Sequence, residues 1–221
     1  MDNGFRSLKG QLLLDSGSLG GSFFMHTVVL VCEHTPDGAL GLVLNKQSEK
    51  TVGEMILADL PEQLNEQELF IGGPVQEGAL SYLLSDDFLP DANVMPNVSL
   101  SHSMEEMEDL ANSFSKTQKL RVFVGYSGWG AGQLDDEMKR NSWLTHPASV
   151  DHVFLPDPSK LWREIMLEFG DFRTPIWATE YGWMSLPDDW AGEPGIWGNH
   201  PIERQAAWTV DGVQRAREQW P

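Results

Sequence analysis

Two stretches of the sequence carry residue types that could do chemistry. In the first, Cys32 and His34 are two residues apart in an apolar, β-rich run, so on a regular strand both side chains point to the same side. A thiol beside an imidazole is the arrangement of a nucleophile and its general base. The alternative is a buried structural cysteine with a hydrogen-bonded histidine. The sequence favours this alternative because it assigns no third group that would orient the imidazole.

The second stretch is the glycine-rich run FVGYSGWGAGQLDDEMKRNSW at residues 123–143. Glycines between a strand and a helix are the setting of a dinucleotide-binding fingerprint, but the third glycine position of that motif falls on Gln133. The carboxylates of the following DDE occupy the first turn of a predicted helix, where they complement the helix dipole and would repel a phosphate group. We therefore predict a tight strand-to-helix turn, with Tyr126 and Trp129 packed over it.

The histidines and the cysteine give little support to a metal site. Cys32 is the single cysteine of the chain, so neither an intramolecular disulfide nor a thiolate cage can form. His146 and His152 are six residues apart, and no third ligand with metal-site spacing accompanies them. His102 precedes a helix start and His200 precedes a proline, so solvent-facing or capping roles are expected for both. We predict neither a metal nor a cofactor.

Interleaved strands and helices position these residues. The turn sequence TPDGA joins the β-rich runs HTVVLVCEH and LGLVLN as a hairpin. Capping boxes at Thr51/Glu54 and Ser103/Glu106 predict the starts of two helices, and a third is predicted from Pro158. Further strands are predicted in LKGQLLL, ELFIGGPVQEGALSYLLS, LRVFVGY and DHVFL, and a helix in QLDDEMKRN. We predict an α+β (mixed α/β) fold with a mixed, largely antiparallel sheet flanked by helices.

The character of the sequence changes after Gly170. Residues 1–170 carry the strand and helix patterns of an α/β domain. Residues 171–221 contain six of the nine tryptophans, set among Gly, Pro and Asp without sustained periodicity. Exposed tryptophans would form an adhesive surface. We therefore predict an aromatic-rich C-terminal extension that docks on the body or on a neighbouring subunit.

The charge of the chain is strongly negative and unevenly placed. The formal net charge is −18, and residues 51–120 hold thirteen Asp and Glu against Lys116 and Lys119. Because phosphate contacts need clustered Lys and Arg, we expect no tight direct binding to duplex DNA, whereas a protein partner with a basic surface fits this charge. The N-terminus lacks the pattern of a secretory signal, and no apolar run is long enough to cross a bilayer. A cytoplasmic protein is therefore expected.

Five sequence blocks occur in the order GQLLLDS, TVVLVCEHTPDGALGLVLNK, FIGGPV, FVGYSGWGAGQLDDE and NSW. Together they resemble the YqgE/AlgH family of bacterial proteins over residues 5–170. Ser127 stands where the family usually has alanine, and Asp135 where it usually has glutamate. The resemblance implies a mixed α/β fold without established catalytic residues. The family is similar to a protein named for a genetic link to alginate production, and its members are often described as transcriptional regulators.

The resemblance of the CEH block and the Gly/Trp block implies that the two converge on one surface. On that basis we predict a ligand-binding site formed by Glu33, His34, Trp129 and Gln133. The leading hypothesis is a non-enzymatic regulatory or adaptor protein that acts through protein contacts, because no coherent catalytic set emerges. The alternatives are an enzyme, either a hydrolase or a thiol enzyme using Cys32 and His34, and a small-ligand binding module at the Gly/Trp loop. The sequence does not determine the oligomeric state.

Overall fold

The computed structural model describes residues 5–15, 21–55, 62–87, 90–103, 105–107 and 118–168. In these residues the strands are β1 Gln11–Asp15, β2 Val28–Thr35, β3 Gly38–Val43, β4 Gln47–Thr51, β5 Glu68–Ile71, β6 Val75–Ser85, β7 Val98–Ser101, β8 Leu120–Gly130 and β9 Trp143–Pro147. The helices are α1 Val52–Met55, α2 Glu62–Asn65, α3 Gln133–Lys139, α4 Val150–Val153 and α5 Leu161–Glu168, with a 3₁₀ turn at Pro158–Lys160 before α5.

The nine strands form one sheet in the order β4-β5-β8-β3-β2-β1-β9, and β6 adds to it by pairing with β8 and with β7. Strands β5 and β8 are parallel. The other pairs are antiparallel, including the predicted β2–β3 hairpin. The predicted fold class, a mixed α/β fold with a largely antiparallel sheet, is confirmed.

The central strands are covered on both faces. The three leucines of β1 are fully buried, although successive side chains of a strand point to opposite faces. Leu12 and Leu14 enter an apolar cluster with residues of α4 and α5, whereas Leu13 packs with Leu134 of α3 in a second cluster. A continuous apolar run is typical of a strand that is buried on both sides. We refer to the side that contacts Leu134 as the α3 face and to the other side as the opposite face.

Strand β8 joins the two halves of the sheet at the point where its backbone meets that of Gly72 and Gly73, which we call the glycine crossing. Its residues 122–124 pair with β5, and its residues 127–130 pair with β3. The change of partner lies at Gly125, whose φ of 66° falls in the left-handed region that favours glycine. A Cβ on Gly73 would lie 2.2 Å from the backbone carbon of Tyr126, so the two backbones are in direct contact.

Hydrogen bonds hold this crossing together. The Gly72 N–H donates to the Val124 carbonyl at 2.9 Å, and the Gly72 carbonyl accepts from the Val43 N–H at 2.9 Å. The Ser127 hydroxyl, which is fully buried, donates to the same Gly72 carbonyl at 3.1 Å. A buried hydroxyl needs such a partner, and this hydrogen bond satisfies the Ser127 side chain at the crossing.

A buried cation ties β8 to two other segments. The Arg121 guanidinium donates to the Leu155 carbonyl at 2.8 Å and to the Leu44 carbonyl at 3.3 Å, and it lies over the Phe70 ring. Burial lowers the pKa of Arg121 to about 10, and the negative charge of Glu68 opposes that shift. The group therefore stays charged at neutral pH, where its contacts link the start of β8 to the segment that follows α4.

One predicted element and one predicted strand end were wrong. The DHVFL run was predicted as a strand, but the structure has helix α4 at Val150–Val153, because the Ser149 hydroxyl caps it by accepting from the His152 N–H at 3.1 Å. Strand β8 was predicted to end near Tyr126 but continues to Gly130, since its second half pairs with β3. The strand-to-helix turn is confirmed, but it is shorter than predicted. Trp129 packs beside it as predicted, whereas Tyr126 packs with the cluster on the opposite face.

Each predicted capping box forms one of its two hydrogen bonds in the described residues. The Thr51 N–H donates to the Glu54 carboxylate at 2.8 Å at the start of α1, and the Ser103 hydroxyl accepts from the Glu106 N–H at 3.2 Å. No helix in the described part of the chain is both long and apolar enough to cross a membrane.

The chain divides into two compact units, Met1–Met166 and Leu167–Pro221. The first unit holds the sheet and its apolar clusters. Of the second unit, the structure describes the first two residues, which lie in α5. The predicted extension at residues 171–221 and its docking through tryptophans lie outside the described residues.

We predict that Gly73→Ala destabilises the fold far more than Gly78→Ala. A Cβ at position 73 would collide with the backbone of β8, whereas a Cβ at position 78 meets no atom within 4 Å. Overpacking of this kind costs roughly 1–3 kcal/mol or more, against at most about 0.5 kcal/mol at an open surface position. Denaturant unfolding of the two variants measures the difference. Equal free energies of unfolding would show that the crossing does not constrain the fold.

Candidate functional site

Helix α3 lies over a row of residues on three neighbouring strands. His34 of β2 pairs with Ala39 of β3, and Ala39 pairs with Trp129 of β8. Residues paired across antiparallel strands share a face of the sheet, and Trp129 packs with Leu134 of α3. His34 and Trp129 therefore lie on the α3 face, on either side of Ala39. The structure thus brings the CEH block and the Gly/Trp block under one helix.

A carboxylate of α3 is held by two tryptophans. Glu137 Oε2 accepts the indole N–H of Trp129 at 2.9 Å and the indole N–H of Trp143 at 2.8 Å. The two indole rings are 6.3 Å apart between centroids and nearly perpendicular, at 75°. This edge-to-face arrangement directs both N–H groups at one oxygen, and hydrogen bonds to an ionised carboxylate are among the stronger ones in proteins.

Gln133 completes this arrangement by bridging the strand and the carboxylate. Its side-chain oxygen accepts the Gly130 N–H at 3.0 Å, and its amide group donates to Glu137 Oε1 at 3.0 Å. Gln133 thus closes the turn between β8 and α3 and orients Glu137 at the same time. We call Trp129, Gln133, Glu137 and Trp143 the Glu137 cluster.

The sequence-based prediction of the site missed Glu137 and Trp143. The DDE run was interpreted as a set of charges in the first helical turn, and this is correct for Asp135 and Asp136. The spacing of Gln133 and Glu137 is the signal that could have separated the third carboxylate, because residues four apart lie on the same side of a helix. Nothing in the sequence indicates that Trp143, on a later strand, would share its acceptor with Trp129.

His34 is buried and has a contact at each ring nitrogen. The Leu8 N–H donates to Nδ1 at 3.0 Å, so a neutral ring carries its proton on Nε2, which lies 3.6 Å from the Asp135 carboxylate. The Phe5 ring meets the imidazole edge-to-face, and the Ser7 hydroxyl donates to the His34 carbonyl at 2.9 Å. His34 therefore joins the N-terminal segment to β2 and faces α3, which leaves neither nitrogen directed at a substrate.

Cys32 and His34 do not share a face, so the alternative of a thiol–imidazole pair does not form. The favoured prediction, a buried cysteine and a hydrogen-bonded histidine, is confirmed. The register of β2 shifts between Val31 and Glu33, which marks a β-bulge at Cys32. The additional residue reverses the alternation: Cys32 packs in the cluster on the opposite face, whereas His34 pairs with Ala39 on the α3 face. Burial raises the pKa of the Cys32 thiol far above its ordinary value, and the nearby charge of Glu33 raises it further.

Glu33 lies apart from the other three predicted site residues. It pairs with Leu40, whose side chain packs against the cluster on the opposite face, and its own side chain is exposed. The bulge at Cys32 is again the physical reason, because it places two successive side chains on that face. Of the four predicted residues, His34, Trp129 and Gln133 lie under or on α3, and Glu33 does not.

The remaining histidines lie elsewhere. His146 and His152 stack edge-to-face with 5.3 Å between ring centroids, and the His146 Nδ1–H donates to the Pro147 carbonyl at 2.8 Å. His102 Nδ1 lies 3.4 Å from the Leu80 carbonyl. His200 is outside the described residues.

An open cleft of about 310 Å³ adjoins the Glu137 cluster. The cleft is lined by the four residues of the cluster and by Ser22, Phe24, Gly128, Arg140 and Ser142. Phe24 contacts Trp143 edge-to-face with 5.5 Å between centroids, so aromatic rings surround the carboxylate. The cleft is at the lower end of the size range of ligand sites and combines apolar rings with a few oriented polar groups, as such sites do.

Comparison with known proteins identifies the family. A family model described as AlgH-like matches residues 12–172. The chain belongs to the AlgH-like family. This confirms the family that the five sequence blocks indicated. The match includes both strands of the hairpin, the glycine crossing and the whole of α3.

The matches to AlgH-like relatives extend over nearly the full length of those proteins. A UPF0301 protein of Chlorobaculum parvum is 38% identical over 177 aligned residues, and the match covers 78% of this chain and 93% of the relative. A UPF0301 protein of Cytophaga hutchinsonii is 34% identical over 167 aligned residues, and the match covers 73% of this chain and 90% of the relative. The solution structure of the AlgH protein from Pseudomonas aeruginosa is similar with a TM-score of 0.60 at 26% identity, covering 78% of this chain and 93% of that protein.

We predict that Glu137→Gln destabilises this AlgH-like protein by about 1 kcal/mol, because both indole N–H groups then donate to a neutral oxygen instead of a charged one. A glutamine that keeps its oxygen towards the two indoles turns its NH₂ group towards the NH₂ group of Gln133, so two donors face each other. Asp136→Asn is the matched control on the same helix, since Asp136 is exposed and pairs with Lys139. Unfolding curves and the indole N–H resonances of Trp129 and Trp143 measure the effect. Similar behaviour of the two variants would contradict it.

We also predict that Cys32 in the folded protein reacts with an alkylating reagent at least about 100-fold more slowly than in the unfolded chain, because labelling requires opening of the structure. The thiol is fully buried and its pKa is raised. Mass spectrometry of samples labelled with and without denaturant measures both rates. Rapid labelling of the folded protein would show an accessible, activated thiol.

Proposed function

We propose that this protein is a cytoplasmic, non-enzymatic regulatory or adaptor protein that acts through contacts with other proteins. The observation that carries the proposal is that the candidate catalytic side chains hold the fold together. His34 accepts from the Leu8 N–H and faces Asp135, and Cys32 is buried on the other face of the sheet. A catalytic group needs a free position towards substrate, which these groups lack.

The charge of the protein supports a basic protein partner. The net charge is −18, and exposed carboxylates such as Glu62, Glu66 and Glu77 lie within the acidic residues 51–120. Opposite charges accelerate association and select the partner, whereas a duplex of phosphates would be repelled. A regulatory role in this protein would therefore operate through proteins and not through direct base contacts.

A small-ligand binding module is the second candidate function. The cleft beside the Glu137 cluster favours it, because two of the predicted ligand-binding residues, Trp129 and Gln133, line that cleft. The thiol-enzyme alternative has no comparable support, since Cys32 and His34 lie on opposite faces.

A pull-down with the purified full-length chain as bait tests the adaptor proposal. We expect a partner that binds at low ionic strength and is released as salt is raised, because salt screens contacts between exposed charges. Glu62→Gln, Glu66→Gln and Glu77→Gln combined should weaken capture severalfold. The control removes three exposed carboxylates outside the acidic region, by Glu33→Gln, Asp37→Asn and Asp151→Asn. Absence of any partner at low salt, or equal loss in both triple variants, would count against the proposal.

A further inference from the structure

The charge of Glu137 has no cationic partner within the described residues. Its three hydrogen-bond donors, two indole N–H groups and one amide, are all neutral. They orient the carboxylate, but they do not cancel its charge. None of the ion pairs formed by residues of the described ranges includes Glu137. A half-buried negative charge therefore faces the cleft.

The carboxylate also retains room for one more donor. An ionised carboxylate offers about four lone-pair positions on two oxygens. Glu137 Oε2 accepts two hydrogen bonds and Oε1 accepts one, so Oε1 has one acceptor position left. The rings of Phe24, Trp129 and Trp143 beside it form a surrounding of lower dielectric constant than water, which strengthens the attraction for a cation.

Arg140 is the group in the cleft that opposes a cation. Its side chain is exposed, and its Nε–H donates to the Asp136 carbonyl at 3.1 Å, at the end of α3. An anionic ligand would use Arg140 and would be repelled by Glu137, whereas a cationic ligand would use Glu137 and would be repelled by Arg140. The negative charge of the whole chain and the inner position of Glu137 favour the cation.

We propose that this cleft receives the cationic head of a basic side chain, a guanidinium or an ammonium group, from a partner protein. A volume of about 310 Å³ accommodates one long side chain and not a larger structural element. The partner's N–H group donates to Glu137 Oε1 while its aliphatic stem lies against the aromatic walls. The inference rests on the proposed adaptor function, because it assigns the site at which a basic partner inserts.

Variants of Arg140 test the sign of the ligand charge without altering the Glu137 cluster. The probes are blocked tri-arginine, tri-lysine and tri-glutamate peptides, titrated into the full ¹⁵N-labelled chain. The readout is the indole N–H resonances of Trp129 and Trp143, assigned through Trp→Phe variants. The matched control for Arg140→Ala is Lys139→Ala. Lys139 is the neighbouring residue and carries the same charge, but it pairs with Asp136 and does not line the cleft.

We expect the arginine or the lysine peptide to shift both indole resonances. The peptide that binds with the higher affinity identifies the preferred head group. Removal of a nearby like charge should tighten this binding about two- to fivefold in Arg140→Ala and less in Lys139→Ala. Weaker binding in Arg140→Ala, or indole shifts caused by tri-glutamate, would overturn the inference. Basic peptides that shift other resonances and leave both indoles unchanged would also overturn it, while the adaptor proposal, tested by the pull-down, would stand.

Discussion

The contact on which the rest of the fold depends is the backbone crossing between Gly73 and strand β8. A side chain at Gly73 would collide with the backbone of Tyr126, and Gly125 turns the strand with a positive φ at the same point. Because of this crossing, one strand serves β5 and β6 in its first half and β3 in its second. The second half then presents Trp129 and Gly130 to α3, so the position of the site follows from the crossing.

Helix α3 uses the two sides of one short sequence for two different attachments. Asp135 faces the buried His34, and Glu137 accepts both indole N–H groups. Residues two apart on a helix diverge by about 200°, so the helix can contact β2 and the tryptophans at once. Groups that resemble catalytic residues in the sequence therefore serve as attachment points in the fold, and the charge that remains available is that of Glu137.

This arrangement separates the two kinds of negative charge in the protein. The exposed carboxylates of residues 51–120 are screened by water and salt, and they contribute to encounter and solubility more than to specific recognition. Glu137 is different, because hydrogen bonds hold it in one orientation at the edge of an aromatic cleft. A broad acidic surface can attract a basic partner, and one oriented carboxylate can select a side chain from it.

Sequence alone was sufficient to predict the family, the fold class, the β2–β3 hairpin and the starts of two helices. Each depends on local signals, such as a turn of Pro, Asp and Gly or an acid three residues after a hydroxyl, which act through neighbours along the chain. It also indicated that His34, Trp129 and Gln133 belong together, although it wrongly included Glu33.

The membership of the Glu137 cluster depends on contacts between residues far apart in the chain. The bulge at Cys32 reverses the faces of Cys32, Glu33 and His34, and strict alternation in the sequence cannot show a bulge. The DHVFL run is a helix because a serine caps it, although its composition favours a strand. Trp143 shares an acceptor with Trp129 because β9 and β8 lie beside the same helix. That contact depends on the path of the whole sheet, which no local pattern encodes.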